Sequence, residues 1–124
     1  MIRALVHQTG ENRIVEVKSD DLLVKTVQDG LDLMMSLSYE HQTQKIILHQ
    51  ANLSPDFFVL KTKLAGEILQ KATNYGIQLA IVGDFSKVES ESLRAFITES
   101  NRGRQVFFVE SSEAAIKVLT ERNL

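Results

Sequence analysis

Three short stretches carry side chains able to do chemistry, and each directly follows an apolar run. The first is His49-Gln50-Ala51-Asn52-Leu53-Ser54, behind Ile46-Ile47-Leu48. The second is Gly83-Asp84-Phe85-Ser86, behind Leu79-Ala80-Ile81-Val82. The third is Glu110-Ser111-Ser112, behind Val106-Phe107-Phe108-Val109. An imidazole such as His49 can serve as a general base or a ligand-binding group. Asp84 is the kind of strand-exit acid that meets a metal or a ribose, and Asn52, Ser54 and Ser86 offer hydrogen bonds to a ligand. Each residue also has a local reading. His49 can end its strand and donate to a nearby carbonyl. Ser54, followed by Pro55 and Asp56, has the chemistry of a helix start: a capping hydroxyl, a ring pre-set for the first turn and an acid at the positive end of the dipole. Phe57 and Phe58 can pack into the core there.

Several chemistries lack the residues they need. The chain has no cysteine, which removes disulfides, thiolate nucleophiles and cysteine-ligated metal sites. His7, His41 and His49 show no i,i+4 pairing, and no acidic ladder matches a calcium loop. No glycine-rich loop precedes the helix at Ser54, so a nucleotide phosphate cradle is not expected, although its backbone N–H groups could hold an anion. The expectation is therefore no metal and no cofactor. With a net charge of −2 and scattered Lys and Arg, the chain is not expected to bind nucleic acid; Arg102-Gly103-Arg104 is too short a basic run to track phosphates. The first residues lack the long apolar core of a signal peptide, and no window nears ~18 consecutive apolar residues. A soluble cytoplasmic protein without membrane contact is expected.

The elements that must position these stretches follow from pattern. Ile2 to His7 and Arg13 to Lys18 flank Thr9-Gly10-Glu11-Asn12 and read as a hairpin. Val15 and Val17 lie on one face of its second strand, Glu16 and Lys18 on the other. Leu22-Leu23-Val24 is a further short extended piece. Thr26 caps a helix with Asp29 three residues on, and Val27, Leu31, Met34 and Met35 recur at helical spacing. The unbroken run after Lys45 is a strand covered on both faces. Ser54 then opens a long amphipathic helix with Phe57, Leu60, Leu64, Ile68, Ala72 and Tyr75 on one side, and Gly76 closes it in the left-handed region. A second buried strand, a helix over Glu89 to Ser100, a third buried strand and a final helix capped by Ser111 or Ser112 complete the chain. At 124 residues and 44% hydrophobic content, residues 1–124 suit one domain with its own core. Alternating buried strands and helices predict a single α/β domain. Its sheet is mixed and mostly parallel, of about five strands with the hairpin at its edge and about four helices. Ligands in such sheets bind beyond the carboxyl ends of the strands, where the three stretches lie.

The series LHQANLSPDFF, LAGEILQKATNY, AIVGDFS and ESNRGRQVFFV resembles a bacterial family known as domain of unknown function 4180, over about Arg13 to Leu119. The resemblance implies a small cytoplasmic protein and assigns no reaction. KIILH with its following helix, NYGIQLAIVG, and QVFFVESSEAAIKVL are also similar to the STAS/SpoIIAA-like group, which often works by protein–protein switching. That group's best-known branch switches through a phosphorylated serine preceded by aspartate. Here the region reads SPDFF, so the switch does not carry over. The reading is a binding or regulatory module that recognises a protein partner or a small ligand at the strand-end loops. The alternative is a small enzyme using His49 and Asp84, with Asn52, in a strand-end pocket. A homo-oligomer joined through the first helix at Met34 or Met35 is a further possibility.

Overall fold

A computed structural model describes residues 2–124. The hairpin forms as its pattern predicts: β1 (Arg3–Thr9) and β2 (Asn12–Lys18) pair antiparallel, from Arg3 opposite Lys18 to Thr9 opposite Asn12. The two-residue turn needs a positive φ, which Gly10 takes at 61°. α1 (Val27–His41) follows. Thr26 Oγ1 accepts from Asp29 N–H and the Asp29 carboxylate accepts from Thr26 N–H, a reciprocal cap. Then come β3 (Lys45–His49), α2 (Leu64–Asn74), β4 (Gln78–Val82), α3 (Glu91–Arg102), β5 (Val106–Val109) and α4 (Ser112–Glu121).

The strands lie in the order β1-β2-β3-β4-β5, parallel from β2 onward. Three successive crossovers step the same way across the sheet. A constant hand of connection therefore lays α1, α2 and α3 on one face. That face holds the larger core, with Val15, Val17, Ile46, Leu48, Leu79, Ile81 and Phe108 beneath the helices. After β5, α4 folds back over the opposite face onto Ile14, Ile47, Ala80 and Phe107. Both faces of the central strands are thus covered, which is why their sequences are continuously apolar. Among the described residues no helix is long and apolar enough to cross a membrane.

Several expectations are corrected. The Ser54-Pro55-Asp56 cap does not open the long helix. It opens a 3-10 turn over Pro55–Phe58, followed by a second over Leu60–Thr62, and α2 begins only at Leu64. Phe57 is buried at this corner, Val59 is extended, and Thr62 Oγ1 sits against the carbonyls of Asp56 (2.7 Å) and Val59 (2.8 Å). Those contacts close the turns in place of continued i→i−4 bonding, and Lys63 at φ 68° redirects the chain into α2. Tyr75 points outward, while Gly76 takes the expected left-handed conformation. In α1, Met34 lies inside the core, whereas Met35 is exposed. The Leu22-Leu23-Val24 piece contributes a single bridge, Val24 to Leu53.

Candidate functional site

Strand parity and topology bring four distant residues together at the carboxyl ends of β2 and β3. Residues opposite each other in a sheet share a face, so the hairpin register sets His7 beside Glu16 through the pairs His7–Ile14 and Leu5–Glu16. In the parallel pair β2–β3, Glu16 faces Ile47, and His49 follows two residues later on the same side. The start of α4 closes over this face and delivers Ser112. The Glu16 carboxylate is the hub. Its Oε1 lies 2.8 Å from His7 Nε2, and its Oε2 lies 2.7 Å from His49 Nε2 and 2.6 Å from Ser112 Oγ. Lys18 Nζ stands 3.6 Å from Oε2.

Glu16 is 1% exposed, whereas His7 and His49 keep 23% and 29% of their side chains open. Burial alone would push the carboxyl pKa up. Hydrogen bonds from Ser112, His7 and His49, together with the charge of Lys18, outweigh that and bring it down to about 2. The group is therefore ionised at neutral pH, and an ionised carboxylate can only accept. Both imidazoles must then donate through Nε2. That fixes their orientation and leaves each Nδ1 off the carboxylate. His49 also lines a depression of ≈ 250 Å³ with Val17, Lys18, Ser19 and Asp20.

The other residues singled out from sequence lie around this cluster in different roles. Asn52 is fully buried. Its Oδ1 accepts from His49 N–H, and its Nδ2 donates to the carbonyls of Ser19 and Asp21. It clips the exit of β2 to the exit of β3, so its amide has nothing left to offer a ligand in this arrangement. Ser54 Oγ accepts from Asp56 N–H. Asp84 is exposed, and its Oδ1 accepts from both the N–H and the hydroxyl of Ser86. Those two bonds hold its carboxyl below the usual range. Asp84 and Ser86 line a depression of ≈ 450 Å³ with Phe85, Ile97, Asn101 and Phe108, which does not include His49. Gln50 and Phe85 crowd over Gly83, where a Cβ would lie 2.5 Å from Gln50 Oε1 and 2.9 Å from Phe85 Cζ. His49 and Asp84 therefore line separate depressions; the carboxylate that meets His49 is Glu16. Among the described residues no group of three His, Asp or Glu is arranged to hold a metal ion.

Glu16, His7 and Lys18 are not among the residues that the strand-end rule selects, because they belong to the hairpin and not to a strand-to-helix loop. Their signal was nevertheless present. A two-residue turn fixes the register, and the register sets His7 diagonal to Glu16.

Fold and cluster together define a small α/β domain with a mixed five-stranded sheet and a polar hub at its strand ends. The family model described as Domain of unknown function (DUF4180) matches residues 9–119, and the chain belongs to that family. No curated protein and no solved structure matches it.

Proposed function

We propose that the chain is a cytoplasmic binding module that takes a small polar ligand at the carboxyl ends of β2 and β3. His49 Nδ1 and Lys18 Nζ are the contacts, and Glu16 is the anchor behind them. One observation carries this reading: a buried, ionised carboxylate orients two half-open imidazoles through their Nε2 atoms. The depression of ≈ 250 Å³ lies below the roughly 300–1,000 Å³ of drug-sized sites, so it suits a small group. A ligand that donates to an imidazole and accepts from an ammonium, such as a hydroxy acid, matches the chemistry offered. The element order of the domain supports the STAS/SpoIIAA-like layout, and through it a regulatory use of binding. That support is analogy at the level of fold, and the cytoplasmic setting rests on the family resemblance. The test is an NMR titration of the histidine ring nitrogens with a panel of small carboxylates, hydroxy acids and amides. A panel member that shifts His49 Nδ1, and loses its effect in a folded His49→Ala variant, supports the reading. Unmoved His49 and Lys18 signals across the panel at millimolar concentration sink it.

A small enzyme is the second reading, favoured by the Glu16–His49 contact. The carboxylate would position the ring and Nδ1 would take a proton from substrate. Asp84 in its own depression would have to act on a different part of the substrate. Turnover in a broad hydrolase screen, abolished in a folded His49→Ala variant and reduced in Glu16→Gln, would favour this reading over simple binding.

A further inference from the structure

The two edges of the sheet are finished differently. In β5 the outward-pointing N–H and C=O of Phe108 are both taken by one side chain: Asn101 Oδ1 accepts from Phe108 N–H (2.7 Å) and Asn101 Nδ2 donates to Phe108 O (3.1 Å). That edge is four residues long, mostly buried, and held between α3 and α4. At β1 nothing comparable exists. In a two-residue hairpin the residues closing the turn exchange both hydrogen bonds, and the pattern alternates from there. Thr9, His7, Leu5 and Arg3 therefore direct their backbone groups at β2. Ala4, Val6 and Gln8 direct theirs outward, where no partner meets them among the described residues.

β1 also carries few of the devices that normally blunt an edge. Its seven pairs run without a bulge, and it contains no proline and no lysine. Apolar side chains stand open on both of its faces: Leu5 at 45% exposure, Val6 at 43% and, just before the strand, Ile2 at 43%.

We propose that β1 pairs antiparallel with β1 of a second copy of this chain, with Val6 on the two-fold axis, joining two sheets into one. Only this register overlaps the whole of Arg3–Thr9 with itself. It sets Ala4 against the partner's Gln8 and Val6 against the partner's Val6, so every outward N–H and C=O of these residues is satisfied. The charges agree with it. β1 carries one arginine and no carboxylate, so the two Arg3 side chains sit at opposite ends. Each lies by the hairpin turn that carries the partner's Glu11. On the face that bears α4, the partner's Leu5 comes to rest opposite His7. The second copy thereby adds an apolar wall beside the Glu16 cluster and narrows the access of water to it.

The test is sedimentation equilibrium on the full chain from micromolar to millimolar concentration, with two variants. Val6→Pro removes an N–H that points away from β2, so the hairpin loses no internal bond. Val6→Lys places two ammonium groups on the two-fold axis. The wild type should be a dimer, and each variant that folds should dissociate at least about tenfold more readily. NMR signals of the His7–Glu16 contact report that the hairpin is intact, and if the proline variant fails to fold the lysine variant decides. A wild type that stays monomeric at millimolar concentration overturns the proposal. So does a dimer that survives both variants, which would place the interface elsewhere, at Met35 for example. A monomer that captures an extended foreign peptide at β1 overturns it as well.

Discussion

The parallel strands carry an embedded charge at each end, and the two are treated in opposite ways. At the amino end, Lys45 Nζ donates to Gln78 Oε1 (3.0 Å), Asn123 Oδ1 (2.7 Å) and the Leu119 carbonyl. Gln78 in turn donates to the carbonyls of Arg104 and Arg122. The three ammonium hydrogens are all used, and most acceptors belong to α4 or the residues just after it. This cluster ties the end of the chain to β3 and β4. At the carboxyl end, Glu16 also has its partners, but two of them are imidazoles that keep about a quarter of their surface open. A cluster that ends in backbone carbonyls is finished. One that ends in half-open titratable rings still has something to offer a visitor. That difference, and not burial or charge, is what marks one end as a candidate site.

The contrast can be broken most forcefully at its hubs. Glu16→Ala leaves two imidazoles and a serine hydroxyl without their acceptor, and should cost about 3 kcal/mol or more in urea denaturation. Lys45→Met keeps the aliphatic stem and removes a charge that had no acid beside it, so it should cost less, about 1–2 kcal/mol. It should also leave the His49 ring signals unmoved. Equal losses, or a Lys45 variant that shifts His49, would erase the distinction between the two ends.

Acid titration sharpens the same comparison. The folded Glu16 pKa of about 2 lies below its ordinary 4.5, so its contribution is fully present above pH 4.5 and fades as the pH falls toward 2. Over that window it amounts to about 3 kcal/mol. Glu16→Gln should flatten this part of the stability profile. Burial lowers the Lys45 pKa from 10.5, so the unfolded chain holds its proton more tightly. Stability attributable to Lys45 should rise as the pH climbs through its folded value toward 10.5. Both slopes are positive for opposite reasons: the fold favours the charge at one end and disfavours it at the other.

Smaller effects should follow around the candidate site. Asn52→Ala releases the clip between the two loop exits and should cost about 1–2 kcal/mol. Its distinctive readout is faster amide exchange over Ser19 to Val24, with the Lys45 end unaffected. Asp84→Asn, in an exposed turn, should change neither the thermal midpoint nor the His49 signals. A movement of those signals would show that the two depressions communicate.

The sequence carries the layered architecture because each central strand is covered on both faces and each helix has one apolar side. Thr26 and Gly76 announce their conformations through local chemistry alone. Ser54-Pro55-Asp56 illustrates where local chemistry stops. A cap is compatible with any turn of helical hand, and the burial of Phe57 with the carbonyl contacts of Thr62 decided that the turn would be 3-10. Glu16 illustrates the complementary limit. Alternation along β2 places it with Lys18 on the second face, but only the return of α4 after β5 makes that face an interior. Its role therefore depends on a segment about a hundred residues away in the chain.

Asn101 has a consequence beyond its own two bonds. With one amide it counterfeits a neighbouring strand for β5 at Phe108, leaving β1 as the more open edge. A molecule with a single adhesive edge can associate in pairs and then stop, because the two-fold axis consumes the only edge available. Were both edges open, each pair would present two fresh ends and growth would have no natural limit, which is the geometry of a fibril. If β1 pairs as proposed, that asparagine would help to separate a closed stoichiometry from a polymer.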